Sequence, residues 1–414
     1  MKYRFNPLLA AAVLIAAFSI VSAQEAGELN DQLMERAQQI HDRAVVVDTH
    51  VDTPLLMSGR GLDIGVRNDF GRVDLPRMAE GGLDAIFLAV FVSNELDDRN
   101  PSRKALETID VIHRQVGRYP ALAEMAFSSD DIRRIERSGR RAVLIGMENG
   151  GPVEGSLALL RTYYRLGVRY ITLTHNSSNH ICDSSTDQPK WEGLSPFGIE
   201  MVGEMNRLGM IIDVSHISDA AFYDVAEHSE APVIASHSGV RALCDVPRNL
   251  SDEMLMKLAE NGGVIQIVFY SGFLDEDYAE ESERVRKKLE PEFERLRKET
   301  GDDREEFYRK AFPLWEKHAP PAPEASVLID HIDHAVKIAG INHVGIGSDF
   351  DGAGSFPVGI EDSSDYSLIT YHLLKRGYRE EDIARVLGEN LLRVMEEAEN
   401  ISRQKRSISV PERQ

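Results

Sequence analysis

Eight short apolar runs, six of them leading into carboxylate or imidazole residues, constrain this chain more than any other feature. Ala44-Val45-Val46-Val47 leads into Asp48-Thr49-His50-Val51-Asp52, and Ala142-Val143-Leu144-Ile145-Gly146-Met147 into Glu148. Tyr170-Ile171-Thr172-Leu173-Thr174 ends at His175, Met210-Ile211-Ile212-Asp213-Val214-Ser215 at His216, and Pro232-Val233-Ile234-Ala235-Ser236 at His237. Val344-Gly345-Ile346-Gly347-Ser348 ends at Asp349, and residues 83–92 and 264–269 supply two further runs. Continuous apolar runs of this length are the signature of parallel strands buried on both faces. Helical signals separate them. Ser195-Pro196 reads as an N-cap with proline at the first helical position, Phe197, Met201, Met205 and Leu208 follow at helical spacing, and Gly209 closes the helix. Ser251 opens another helix running to Gly262-Gly263, and Leu157, Leu160, Tyr164 and Leu166 populate a third that ends at Gly167. Eight strands alternating with helices predict an α/β fold, a (β/α)₈ TIM-like barrel, whose chemistry gathers at the C-terminal strand ends.

The first residues stand apart. Lys2 and Arg4 precede an apolar stretch over 8–20, and Val21-Ser22-Ala23 makes a small-residue cleavage site, so residues 1–23 read as a secretory signal peptide. The stretch is short for a bilayer span and polar residues follow it directly, which favours cleavage over a retained anchor. No cysteine follows it to take a lipid, and the polar tail 404–414 carries no C-terminal lipid-anchor signal. The expectation is a protein exported to the periplasm or secreted, with no stable membrane anchor. Removing the leader takes away two basic residues and no acidic ones, moving the formal charge from −21 to −23. That acidity argues against nucleic acid and anionic membrane surfaces as partners.

Residues 24–400 then form the barrel domain, interrupted after the seventh strand by a segment over 275–322 dense in Glu, Lys and Arg. Pro291 is expected to kink a helix there or to separate two, giving a bent helix or helical hairpin ended by Pro320-Pro321-Ala322-Pro323. Such a charged segment reads first as a solvated surface elaboration, although its position after a strand end lets it arch over the barrel mouth. The tail 401–414, with mixed charge and Pro411, reads as disordered. Cys182 and Cys244 fall on loops at the same barrel end and are the chain's sole candidates for a disulfide.

The strand-end residues make a chemical set. His50 and Asp52, two apart at a strand end, share a face and are placed to grip one cation. His216 and His237 end neighbouring strands, and Glu148 lies across from both groups. Ligands of types His, His, His, Asp and Glu suit two divalent ions, zinc foremost, with a carboxylate bridging them. His175 is placed to stabilise an oxyanion, Asp349 to manage a proton or hold a substrate ammonium, and Arg248 to take a carboxylate bidentately. For each of these three a structural ion pair stays an equal alternative on the sequence alone. His331 and His334 read as surface or helix-packing residues, His113, His228 and His318 as solvated, and His180 as a loop residue near the mouth.

These residues resemble the renal-type membrane dipeptidases and their bacterial relatives. The resemblance is carried by Asp48-Thr49-His50-Val51-Asp52, Asp74-Leu75-Pro76-Arg77, Gly146-Met147-Glu148, the run ending at His175, Pro196-Phe197-Gly198, Met205-Asn206-Arg207-Leu208-Gly209-Met210, Asp213-Val214-Ser215-His216, Ser236-His237-Ser238, Arg248-Asn249, Asp349-Phe350-Asp351-Gly352 and Glu389-Asn390-Leu391-Leu392-Arg393-Val394. They occur in family order over about 44–396. The resemblance implies a dipeptidase with two zinc ions per chain and a metal-bridging hydroxide, His50, Asp52 and Glu148 holding one ion and Glu148, His216 and His237 the other. It further implies His175 at the oxyanion and substrate, Arg248 on the substrate's C-terminal carboxylate, and Asp349 at the free amino end and in proton transfer. Tolerance of a C-terminal D-residue and a homodimer are implied as well; some family members also open β-lactam rings. The charged insertion departs from the mammalian pattern.

Two other readings remain. A deaminase or phosphotriesterase-like hydrolase of the wider barrel group often bridges its metals with a modified lysine, and here Glu148 stands at that strand end. An exported binding protein that had lost its chemistry would be expected to lack a ligand or Asp349, and none is missing.

Overall fold

The computed structural model describes residues 30–93, 100–301 and 304–408; the expected leader, 1–23, lies outside the described residues. Nine strands are present: β1 (Val47–Val51), β2 (Ala85–Phe91), β3 (Ala123–Met125), β4 (Arg141–Glu148), β5 (Val168–Thr172), β6 (Ile211–Asp213), β7 (Ile234–Ser238), β8 (Val264–Ile267) and β9 (Val344–Ile346). All pair in parallel in the order β1-β2-β4-β5-β6-β7-β8-β9. These eight are the eight apolar runs, so the expected barrel is what forms. The ninth strand, β3, was not foreseen. It pairs with Arg141–Val143 at the start of β4, below the stretch from Ile145 onward that β5 occupies. The stagger of a barrel leaves that edge open, and three residues suffice to cover it.

No long ladder joins β9 to β1. The seam closes just past the strand ends, where Asp349 N–H donates to His50 O (3.0 Å) and Asp52 N–H to Phe350 O (2.8 Å). Asp48 completes it: its Oδ1 accepts from His50 N (3.0 Å) and Ser348 N (2.9 Å), its Oδ2 from the hydroxyls of Ser348 (2.5 Å) and Tyr366. A buried carboxylate with four donors is fully satisfied, and here it substitutes for the missing backbone pairs.

Side chains two apart on a strand share a face. Val47, Ala85, Phe87, Ala142, Leu144, Tyr170, Ile211, Ile234 and Val264 form one cluster, closed by Leu391, Leu392, Val394 and Met395 of the helix Asn390–Ile408. The strand starts and this helix thus seal the barrel's lower end, leaving the upper end for polar groups. The alternate residues, Ile86, Leu88, Val90, Val143, Ile145 and Met147 among them, pack outward against the helical ring.

That helix corrects the expected disordered tail. It continues to Ile408, with Ile401 against the barrel cluster, Ser402 buried and its hydroxyl donating to Arg207 O (2.8 Å). Apolar residues at 391, 395, 398 and 401 keep helical spacing past the point where charge dominates the composition; 409–414 lie outside the described residues.

The charged insertion is a hairpin of two helices, Glu276–Thr300 and Arg304–Glu316. Pro291 does not divide them; the helix runs through it and ends at Gly301, whose φ of 57° suits glycine. A stripe of Tyr278, Ser282, Val285, Leu289, Phe293 and Leu296 continues across the proline and, with Phe307, Ala311, Leu314 and Trp315, makes a small core of its own. Burial of that stripe outweighs one lost backbone hydrogen bond. Both cysteines are buried and free, Cys244 with its thiol 3.7 Å from Gly272 O. No described helix is long and apolar enough to cross a membrane.

Candidate metal centre

At the upper end four imidazoles converge on one atom. Glu148, the last residue of β4, places Oε1 3.1 Å from His216 Nε2, 3.6 Å from His237 Nε2, 3.6 Å from His175 Nε2 and 3.7 Å from His50 Nε2. His50 Nε2 lies 3.3 Å from Asp52 Oδ2. Donor atoms within 4.8 Å of one another form three overlapping sets: His50, Glu148 and His237; Glu148, His175 and His216; His50, Asp52 and Asp349. All seven residues named at the strand ends are therefore in one place. His237 falls with His50 as well as beside His216, so the rings do not sort cleanly into the two expected groups.

The residues fit a pair of cations. His50 Nε2 and Asp52 Oδ1 are buried without a hydrogen-bond partner. His216 Nε2 and His237 Nε2 face each other at 2.9 Å, a distance at which two lone pairs repel unless something positive lies near both. The electrostatics agree. Burial pushes the Glu148 and Asp349 carboxyls well above the usual range, and neighbouring Asp52 adds to it. Burial disfavours the His50 imidazolium, yet the carboxylates of Glu148, Asp52 and Asp349 outweigh it and lift its pKa to about 10. Burial and then the Arg248 charge depress His175 to about 3 and His216 well below its ordinary value; burial and then His50 do the same for His237. Carboxyls and an imidazolium that hold protons beside three neutral imidazoles, all around a common point, are groups on which a divalent ion replaces protons.

Each ring is aimed from behind. His50 Nδ1 meets Tyr170 OH (2.8 Å), His237 Nδ1 meets Ser236 Oγ (2.8 Å), and His216 Nδ1 meets Asn176 Oδ1 (3.2 Å). Ser236 donates its own hydrogen to Asp213 Oδ2 (2.6 Å), so its oxygen accepts from His237 and leaves Nε2 bare toward the centre. Asp213 also takes the Thr172 hydroxyl (2.5 Å) on Oδ2, and the Ser215 N–H (3.0 Å) and Ser236 N–H (2.8 Å) on Oδ1. This repeats the arrangement of Asp48 at the seam. Tyr170 reaches His50 because β4 offers glycine beside it: a Cβ on Gly146 would lie 2.1 Å from the tyrosine ring. Gly352 does the same for the acids, since a Cβ there would meet Asp52 Oδ2 at 2.2 Å and Asp349 Oδ1 at 2.4 Å.

His216 (φ 69°) and Asp349 (φ 62°) sit in the left-handed region, uncommon for non-glycine residues and concentrated at functional sites. Arg248 is buried. Its Nη2 donates to His237 O (3.2 Å), its Nη1 lies 3.5 Å from Ser238 Oγ, its Nε is unpartnered, and burial lowers its pKa to about 10 against the pull of Asp349 and Glu148. Among the described residues no ion pair uses it up. Phe91 sets its ring edge against His175, with centroids 4.8 Å apart.

Asp48, Tyr170, Asn176, Asp213, Ser236 and Gly352 were given no role from sequence. Asp48 and Asp213 carried a signal, an aspartate two or three residues before a strand-end histidine. Tyr170 carried none, since a buried tyrosine in a strand reads as core. Among the other histidines His331 packs in the interior, His334 bonds Asp252 (2.7 Å), and His228 is exposed. His113, expected to be solvated, is half-buried and bonded to Leu166 O (2.9 Å); its helix packs that face on the barrel. His318, likewise expected to be solvated, is half-buried. His180 receives Gly155 N–H (3.0 Å) rather than facing the centre.

A sequence profile of the membrane dipeptidase family, peptidase family M19, matches residues 34–409. Dipeptidase 3 of Homo sapiens is 34% identical over 387 residues, covering 91% of this chain and 70% of that protein, and Dipeptidase 3 of Mus musculus is 34% identical over 380, covering 89% and 68%. The crystal structure of the probable dipeptidase PvdM from Pseudomonas aeruginosa superimposes with a TM-score of 0.77 at 30% identity, covering 90% of this chain and 99% of that one. With the barrel, the convergent donors and these matches together, the chain belongs to the membrane dipeptidase family and is a dipeptidase enzyme of that family.

Proposed function

We propose that the enzyme hydrolyses free dipeptides, those with a C-terminal D-residue included, with two zinc ions held between His50, Asp52 and Glu148 on one side and Glu148, His216 and His237 on the other. The observation that carries the metal reading is the convergence of four imidazole nitrogens on Glu148 Oε1 within 3.7 Å, with His50 Nε2 left unpartnered. When bound, such a pair of ions supplies a water acidified toward neutral pH and a Lewis acid for the scissile carbonyl. The chain's own residues do the rest. His175, kept neutral, donates from a ring nitrogen to the carbonyl oxygen as charge develops there. Arg248, with an unused Nε and no carboxylate partner among the described residues, takes the substrate's C-terminal carboxylate. Asp349, whose carboxyl keeps its proton readily, holds the free amino end and passes a proton to the leaving nitrogen. Phe91 sets its ring edge against His175 and covers part of that imidazole.

The leader-like residues 1–23 support export to the periplasm or beyond, which N-terminal sequencing of protein recovered from cell fractions checks. The central experiment measures metal content of the purified protein beside kcat and KM for L,L and L,D dipeptides and their C-terminal amides. About two zinc ions per chain, with cleavage lost on chelation, is the expected result. Arg248→Ala should raise KM for free dipeptides by about 10–100-fold and leave amides nearly unchanged. Two metals without dipeptide cleavage would instead favour the wider hydrolase group, and equal cleavage of amides would remove the role of Arg248.

A further inference from the structure

The helical hairpin is inserted between the two segments that brace the Arg248 loop. That loop, 239–250, closes on itself: Leu250 N–H donates to Gly239 O (3.0 Å) and Arg241 N–H to Leu250 O (2.9 Å). Asn249, buried beside Arg248, accepts from Gly239 N (2.8 Å) on Oδ1 and donates from Nδ2 to Cys244 O (2.9 Å) and to Phe273 O (2.8 Å). His331, fully buried, accepts from Val240 N (3.0 Å) on Nδ1. Its proton therefore sits on Nε2, which donates to Leu274 O (2.8 Å). Phe273 and Leu274 lie immediately before the hairpin, whose first helix opens at Glu276, and His331 lies on Ser326–Ala339, the helix that follows it. The same helix ties His334 to Asp252, just after the loop. The insertion's entry and exit are thus both bonded to the flanks of the loop. The guanidinium itself lies over the Phe273 ring, 5.1 Å from its centroid, and among the described residues no carboxylate is bonded to it.

We infer that Asn249 and His331 are positioning residues for Arg248, and that through them the seating of the hairpin sets recognition of the substrate's terminal carboxylate. The inference rests on the carboxylate role proposed for Arg248. Every bond of Asn249 and His331 named here runs to main-chain atoms of the loop or of Phe273 and Leu274, none to the metal ligands' side chains. The guanidinium's direction is the quantity at stake, and a displacement of about 1 Å suffices to lose a bidentate pair.

The test compares one dipeptide with its C-terminal amide on the metal-loaded enzyme. Asn249→Asp keeps the size and the acceptor for Gly239 but loses the donor to Phe273, and His331→Leu removes both ring bonds. Each should raise KM for the free dipeptide by about tenfold, leave kcat within about twofold, and leave the amide and the metal content unchanged. His331→Gln, which can still accept and donate, should recover most of the loss. If Arg248→Ala moves the free-to-amide ratio while Asn249→Asp and both His331 variants do not, or if those variants depress free and amide substrates alike, the positioning role is overturned alone. If Arg248→Ala itself leaves the ratio unmoved, the carboxylate reading falls and takes this inference with it.

Discussion

At the barrel mouth Glu148 is 5% exposed among four imidazoles, whereas in the hairpin Arg284 is 67% exposed between Glu280 and Glu281. The two regions use the same residue types and differ in what water does for them. In the hairpin, pairs at i,i+3 and i,i+4 such as Arg286–Glu283 and Arg284–Glu280 are solvated, so each adds only a few tenths of a kcal/mol. At the mouth the same charges have lost water and have only one another and fixed hydroxyls to replace it. Charge density therefore marks solvated surface, and a sparse set of polar residues, one or two per strand end, marks the site.

Four substitutions bear on that contrast. Glu148→Gln removes the oxygen on which the rings converge and should lower kcat roughly a thousandfold or more together with metal content; a fully loaded, active variant would break the contrast outright. Asp213→Asn leaves the centre's own donors in place but turns an amide N–H toward Ser236, disturbing the tautomer of His237. Metal affinity should fall by about 10–100-fold, read by competition with a chelator; unchanged affinity would mean the ring needs no support from behind. His331 probes burial without a charged neighbour at bonding distance, with His334 lowering and Asp330 and Asp275 raising a pKa that burial brings to about 4. Folded protein then binds fewer protons than unfolded protein between about pH 4 and 6.5. The stability this residue contributes is complete above 6.5 and is lost as pH falls toward 4. His331→Gln should flatten that part of the denaturation-versus-pH curve, and an unaltered slope would count against a buried neutral ring. Arg284→Ala should change stability by less than about 0.5 kcal/mol in chemical denaturation; a larger loss would show that the hairpin's charges are not as solvated as their exposure indicates.

The same contrast explains what the sequence discloses. Val143, Ile145 and Met147, or Ile234 and Ala235, stand out because a strand covered on both faces has no room for polar residues, and Glu148 and His237 stand out as exceptions to that rule. All eight barrel strands and the convergent site residues were legible in this way. β3 was not, because Ala123-Glu124-Met125 is too short to show a period. Tyr170 and Ser236 were not, because their roles come from neighbours on other strands, Gly146 and His50 for one and Asp213 and His237 for the other. Of the two outcomes expected at Pro291, a separation into two helices does not occur, because the apolar stripe continues on either side of it.

Because the seam closes through Asp48, the centre also has a place in time. Asp48 and Ser348 stand 300 positions apart, and His50 and Asp349 lie on the two sides of the same seam. Closing so long a loop is the slow part of forming a barrel, and until it happens His50 has none of the seam around it. A chain emerging from synthesis therefore carries most of these residues long before it carries the whole site. The set of Glu148, His175 and His216 needs no seam, whereas the set of His50, Asp52 and Asp349 exists only once the barrel has closed.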